Sequence, residues 1–350
     1  MKNILLILTG GTICTEINQK GRLDVTEKAK TAIIQSFLDS SSPYKNTVRF
    51  TPTENLGILS ENMSVNGYNI IIDTYKRYIK SQAYDGVIIA HGTDTLAFST
   101  SLFSMLLHNT DIPVLFVSAN KRISDESSNA ADNFRYAAEC IAMGITPGVY
   151  AVYKNISDQK VYLHLASRLE QCKNYSEDFY SMGAVDITDI DMQNCKGYFD
   201  LVNKGTKSQK AYLNINNVRL SDCVLCITPY VGINYSAIDY SRFSAVLHGT
   251  YHSGTVCAEG ENSVFLMIDR ALSAGADVYF SPSRLCGEIY ESLGKVGEYA
   301  GLNKDRISFL YGTTIETAYA KLLVAYSCLD DKDKIKEFLS DEINCEKIHL

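Results

Sequence analysis

The chain opens on an unbroken apolar run, Asn3-Ile4-Leu5-Leu6-Ile7-Leu8, that halts at Thr9-Gly10-Gly11-Thr12. A short continuous run of this kind, too brief for a helix and ended by glycines, predicts a strand buried on both faces. The same signature recurs at Gly86–Ala90, Pro113–Ala119 and Val149–Lys154. Between these runs, amphipathic stretches predict helices over Lys28–Leu38, Ser64–Lys80, Thr95–Leu107 and Asp125–Met143, the last closed by Gly144. Such alternation predicts an α/β fold: a parallel, doubly wound sheet of flavodoxin or Rossmann type, with helices on both faces, over residues 1–190.

Residues 183–220 lose clean periodicity and include the polar stretch Asn203-Lys204-Gly205-Thr206-Lys207-Ser208-Gln209-Lys210, which marks 191–220 as a linker region. Alternation resumes with strands predicted at Val224–Thr228, Ala245–Gly249 and Asp277–Ser281 and helices near Ser236–Phe243, Ser263–Ala274 and Thr314–Cys328. Residues 221–350 therefore read as a second, smaller α/β domain, whose charged end, Asp330 to Cys345, reads as a solvated terminal helix.

Composition narrows the chemistry. With 350 residues, 46% hydrophobic, the chain can bury a large core and holds more than one compact domain usually does. A formal charge of -7 argues against a nucleic-acid surface, which needs a basic field to neutralise phosphates. The apolar start ends at Leu8, short of the roughly 7–15 residues of a signal-peptide core, and no run approaches the roughly 20 residues of a membrane span. The expectation is a cytoplasmic protein that meets neither membrane nor nucleic acid, its ten cysteines reduced.

Two peptides stand at the carboxyl ends of predicted strands, the edge where open α/β sheets bind ligands. In Thr9-Gly10-Gly11-Thr12 the glycines allow positive φ and close backbone approach, and the threonine is a nucleophile or a turn cap. In His91-Gly92-Thr93-Asp94-Thr95 a glycine, a hydroxyl and a carboxylate sit together, while Thr93 or Asp94 can also cap the helix that follows.

TGGTI followed by HGTDT, in that order, resembles the bacterial-type L-asparaginase family, in particular its cytoplasmic members. LSENMS, with Ser60 and Glu61, is similar to the family's substrate-gripping segment, and SANKRISDESSNAADN, VLCITPYVGINYSAID, LHGTYHSG and TTIETAYAKL extend the likeness over most of the chain. The resemblance implies that Thr12 is the nucleophile, that Gly11 and Gly92 let an amide substrate lie against the backbone, and that Thr93, Asp94 and a lysine form a second catalytic cluster. It further implies that Ser60 holds the α-carboxylate and that Glu61 and Asp94 meet the α-ammonium. The reaction it implies converts asparagine to aspartate and ammonia through a threonyl acyl-enzyme, with no metal or organic cofactor. A threonine hydroxyl is too weak an acid to attack unaided, so a neighbour must take its proton, and backbone N–H groups must hold the oxyanion. Family assembly implies a homodimer or homotetramer, and the loop SRLCGEIYE, with Glu288, is a candidate for approaching a neighbour's site.

Two positions depart from the family pattern. Arg22, in Lys20-Gly21-Arg22-Leu23, stands where the family carries a loop tyrosine, and an arginine cannot act as a base. The family's lysine, counted back without a gap from Glu177-Asp178-Phe179-Tyr180-Ser181, lands on Glu170 or Gln171; a short deletion brings Lys173 to the place, with Arg168 and Lys121 further off. Other chemistry fares worse: Cys223 and Cys226 have no second pair for zinc, and His248 and His252 fall on a strand and a loop. The alternatives to an asparaginase are a glutaminase-asparaginase or other small-amide hydrolase, and a catalytically weak amino-acid-binding homologue. A third alternative, which the family relationship permits, is a tRNA-dependent amidotransferase subunit; the resemblance implies an additional N-terminal module for that subunit, and the expectation is against it, since a chain starting on its nucleophile strand leaves no room for one.

Overall fold

The computed structural model describes residues 1–17, 23–25, 27–188, 210–283, 290–303 and 305–348. Two compact units form, the first comprising Met1–Val218 with Ile343–Cys345, the second Arg219–Glu342 with Glu346–Leu350. The division thus falls at Val218, and most of the expected linker, residues 191–209, lies outside the described residues.

The first unit is built on a seven-stranded sheet. Its strands are β1 (Lys2–Leu8), β4 (Val48–Asn55), β5 (Gly86–Ala90), β6 (Val114–Val117), β7 (Val149–Lys154), β8 (Val161–Leu165) and β11 (Val185–Asp186), in the order β11-β8-β7-β6-β5-β1-β4. The short pairs β2 (Thr15–Ile17) with β3 (Leu23–Val25), and β9 (Leu169–Glu170) with β10 (Tyr180–Ser181), are antiparallel hairpins. From β4 through β7 the sheet is parallel; β8 and β11 add antiparallel strands at the other edge. Helices α1 (Glu27–Asp39), α2 (Val65–Ser81), α3 (Leu96–Leu106) and α4 (Ala130–Ala142) connect the parallel strands.

Period-two alternation sorts the core into two layers. Ile4, Leu6, Leu8, Ile88, Ala90, Leu115 and Val117 pack with Ile33 and Phe37 of α1 and Phe134 and Ala137 of α4. On the opposite face Phe116 meets Phe103 of α3 edge-on, ring centroids 5.5 Å apart. Helices therefore cover both faces, as the continuous apolar runs require.

Several elements differ from the sequence expectation, four of them for reasons that the local structure shows. Strand β4 is one that the pattern misses, because Arg49 and Pro52 interrupt it; it is the sheet's edge, where a proline costs no ladder bond on the open side. Helix α4 starts at Ala130 rather than Asp125, because Asp125 and Ser128 engage their own loop and Asn120 and Asn129 exchange backbone-to-side-chain bonds of 3.0 and 3.1 Å. Residues 236–243 form no α-helix: Asn234 and Asp239 each accept from the backbone two residues on, leaving one short turn at Tyr235–Ala237. The charged C-terminal stretch is helical over Lys332–Ser340, yet buries Ile335, Phe338 and Leu339.

The second unit carries a four-stranded parallel sheet, β12 (Val224–Ile227), β13 (Ala245–His248), β14 (Asp277–Ser283) and β15 (Ile307–Tyr311), in sequence order. Helices Val264–Ser273, Glu291–Leu302 and Ile315–Cys328 accompany it. No described helix is long and apolar enough to cross a membrane.

Candidate active site

Strand order reverses at β1: the chain runs through α1 to β4 on one side, then through α2 across to β5 on the other. The crevice outside the carboxyl ends at such a reversal is where open sheets bind ligands. Leu8 pairs with Ala90 in parallel register, so Thr9 and His91 leave the sheet side by side. The Thr9 N–H and hydroxyl both donate to the Ala90 carbonyl, at 3.1 and 2.9 Å.

Above this seam three segments touch through their backbones. Gly10 and Gly11 hold φ of 138° and 73°, conformations that favour glycine. A Cβ on Gly10 would lie 2.3 Å from the Ile58 carbonyl oxygen, and one on Gly92 would lie 2.3 Å from Ser60 Oγ. Thr12 opens a short 3₁₀ turn, Thr12–Cys14, and is half-buried. Ser60 opens another, Ser60–Asn62, and is buried. Its hydroxyl donates to Asp94 Oδ2 at 3.2 Å, while Thr95 Oγ1 donates to the Ser60 carbonyl at 3.0 Å. Glu61, next along the turn, is exposed.

On the far side of the β5 turn, Thr93 and Asp94 line a cavity of about 400 Å³ whose walls include Asn120, Gln171, Lys173 and Glu177. Gln171 reaches the turn itself, donating from Nε2 to the Thr93 carbonyl at 2.8 Å, and Asn120 Nδ2 donates to Glu177 Oε2 at 2.9 Å. Beneath the turn His91 is fully buried. Its Nδ1 lies 2.7 Å from the Gly92 carbonyl, which can only accept, so Nδ1 carries the proton and Nε2 accepts from Ser99 Oγ at 2.9 Å. Burial pushes this imidazole down to about 4, against the pull of the Gly92 carbonyl.

The asparaginase N-terminal family model matches residues 3–197, more than half of the chain. The chain belongs to the asparaginase family. Among curated relatives of this family member, a glutamyl-tRNA(Gln) amidotransferase component from Methanosphaera stadtmanae is 26% identical over 346 residues, covering 99% of this chain and 76% of that one. Two solved structures share the fold. The thermostable L-asparaginase from Thermococcus kodakarensis superposes with a TM-score of 0.70 at 20% identity, covering 99% of this chain and 100% of that chain. The L-asparaginase I from Vibrio cholerae gives a TM-score of 0.70 at 19% identity, with 99% of each chain covered.

In this asparaginase-family cleft the electrostatics are acidic. Burial, reinforced by the carboxylates of Asp178, Asp94 and Glu177, pushes the Cys172 thiol up to about 12, so it stays protonated and donates to the Asp178 carbonyl at 3.0 Å.

The fold brings most of the expected residues together. Ser60 bonds Asp94; Thr93, Asp94 and Lys173 line one cavity; Gly11, beside Thr12, packs against Gly92. Lys173 is exposed at the cavity wall, and no ion pair joins it to Asp94 among the described residues. Arg22 and Glu288 lie outside the described residues. One expectation is corrected: neither Thr93 nor Asp94 caps α3, whose N-cap is Thr95 with no side-chain capping bond, because the Thr95 hydroxyl is turned to Ser60. To the expected set the structure adds Gln171, Asn120, Glu177 and His91. All four lie in segments that the sequence marks: the ungapped count falls on Gln171, His91 opens HGTDT, Asn120 stands in SANKRISDESSNAADN, and Glu177 opens the stretch from which the count starts.

Proposed function

We propose that this chain hydrolyses the side-chain amide of L-asparagine, giving L-aspartate and ammonia. The observation that carries the reading is the hydrogen bond from Ser60 Oγ to Asp94 Oδ2, made at the β1–β5 crevice beside the two threonine turns. It sets a neutral donor against an anion, the pair of groups that a zwitterionic amino-acid head needs: a donor for its carboxylate and a carboxylate for its ammonium. Glu61 adds a second anion, exposed on the same short turn.

In the proposed reaction Thr12 Oγ attacks the side-chain carbonyl carbon as a neighbour takes its proton, and the carbonyl oxygen gains the negative charge. Backbone N–H groups and the Thr93 hydroxyl stabilise that oxyanion. The C–N bond then breaks with protonation of the nitrogen, ammonia leaves, and a threonyl ester remains. Water attacks the ester, Thr12 recovers its proton, and aspartate is released. Thr93, Asp94 and Lys173 are the group we assign to activating that water and handling its proton. No step requires a metal or organic cofactor. The homodimer or homotetramer expected from the family resemblance belongs to the same proposal.

A second reading, glutamine as the amide and a partner protein as its companion, is favoured by one observation: a relative named as part of an amidotransferase aligns with 99% of this chain. The two differ by one methylene in the substrate, a discrimination of about 1–3 kcal/mol in a pocket.

Ammonia release from asparagine and glutamine, by wild type and by Thr12→Ala and Thr93→Ala, tests both. Asparagine turnover lost in both variants supports the first reading, and a preference for glutamine supports the second. Folded wild type that binds aspartate in a calorimeter and turns over neither amide overturns both, and makes the chain an amino-acid-binding member of the family.

A further inference from the structure

We infer that Gln171 is a positioning residue that clamps the Thr93–Asp94 turn through both ends of its side-chain amide. The inference deepens the functional reading above and rests on it where it concerns turnover. Nε2 donates to the Thr93 carbonyl at 2.8 Å, and Oε1 accepts the Ala97 N–H at 3.4 Å. The orientation of the amide is unambiguous, because a carbonyl can only accept and an N–H can only donate.

Those two backbone groups flank the residues that matter. Thr93 contributes the carbonyl before Asp94, and Ala97 sits in the first turn of α3, whose leading N–H groups have no partner within the helix. Because Thr95 supplies no side-chain capping bond, an acceptor must come from elsewhere, and Gln171 is that acceptor. The clamp is itself anchored: Gln171 follows β9, whose Leu169 is fully buried and pairs with Ser181 of β10.

The residue type follows from the turn. A side-chain amide of this reach is donor and acceptor at once and uncharged at every working pH. Lysine would satisfy the Thr93 carbonyl and leave Ala97 without its acceptor. Glutamate would satisfy Ala97 and set an anionic oxygen against the Thr93 carbonyl. Gln171 therefore holds the turn without taking part in proton transfer, and among the described residues lining the cavity Lys173 is the cation left for that task.

Two near-isosteric variants of the full chain test the clamp. Gln171→Met keeps the volume and removes both bonds; kcat on asparagine is expected to fall about tenfold with KM within about threefold, at every pH. Gln171→Glu is expected to be equally impaired at pH 8. It should recover toward wild type as pH falls through the carboxyl range, where the protonated acid donates to the Thr93 carbonyl. Wild-type kcat in both variants, or loss of thermal stability alone, would overturn the inference. Exchange of the Ala97 amide proton, followed by NMR, decides the matter independently of activity. In Gln171→Met it should exchange about tenfold faster than in wild type. If wild type turns over neither amide, the functional reading fails while this exchange measurement still stands, and unchanged protection at Ala97 would overturn the clamp.

Discussion

A Cβ placed on Gly11 would stand 2.5 Å from the Cα of Gly92 and 2.6 Å from its nitrogen. The turns that follow β1 and β5 therefore meet backbone to backbone, and Gly11 owes its size to Gly92, and Gly92 its own to Ser60, before any substrate arrives. Gly11 also holds a φ of 73°. Gly11→Ala meets immovable backbone in a strained conformation and should destabilise the first unit by about 2–4 kcal/mol, read from urea unfolding. Gly92→Ala instead meets Ser60, its Oγ at 2.3 Å and its Cβ at 2.6 Å, and rotating the hydroxyl clears only the first; but Gly92, unlike Gly11, holds no positive φ, so no backbone strain is added to the clash. It should cost less stability and disturb the Ser60–Asp94 bond, raising KM. Equal stability losses in the two variants would contradict this division.

Ser60→Ala removes one donor beside a carboxylate and leaves the backbone contact from Thr95 in place. A hydrogen bond to a charged partner is worth about 1.5–3 kcal/mol, so KM for asparagine should rise about 10- to 100-fold. Steady-state kinetics with an unchanged KM would remove Ser60 from substrate binding.

His91 gives the first unit a dependence on acid. Its imidazole titrates near about 4 in the folded chain, against an ordinary value of 6.5, because it is buried. Well above pH 6.5 both folded and unfolded forms are neutral and the contribution to stability is complete. As pH falls toward 4 the unfolded chain binds a proton that the folded chain refuses, and stability is lost at up to about 1.4 kcal/mol per pH unit. His164, pushed by burial to about 3, acts in the same direction. Urea unfolding at pH 7 and pH 5 should show a smaller difference in His91→Asn than in wild type; equal differences would mean that His91 does not titrate in this way.

In the second unit Lys321 Nζ donates to Glu346 Oε1 at 2.6 Å, with both side chains buried, and also to the Asp341 carbonyl. Removing one partner strands a buried charge, so Lys321→Met should destabilise by about 3–5 kcal/mol. Lys321→Met with Glu346→Leu should recover part of that loss, because no unpaired charge is left. Additive losses in the double-mutant cycle would contradict a coupled pair.

The elements that were legible are those whose signal is local. β1, β5 and β7 are continuous apolar runs because both faces are covered, and a run buried on both faces cannot be mistaken for a surface helix. β4 escaped because an edge strand needs neither feature: it tolerates Pro52 and leaves Arg49 exposed. The helix expected at Ser236–Phe243 failed because Asn234 and Asp239 offer the backbone closer acceptors than a helix does. The terminal stretch read as solvated because its charges outnumber its apolar residues, yet the spacing of Ile335, Phe338 and Leu339 puts those three on one buried face.

The site divides along the same line. By itself the sequence determined that two glycine–threonine turns close the first and a later strand, since glycine, hydroxyl and strand end lie within a few residues of each other. It also determined the family, through the order of those two turns. Only the tertiary structure decided that the turns are neighbours, because adjacency of β1 and β5 depends on the α2 crossover passing over β1, which no local pattern encodes. It likewise gave two candidates from one count separate positions: the count along the chain left Glu170, Gln171 and Lys173 open, while the folded hairpin puts the Gln171 amide on the Thr93 carbonyl and Lys173 at the exposed cavity wall. Sequence spacing measures distance along the backbone, and a hydrogen bond requires distance and direction through space.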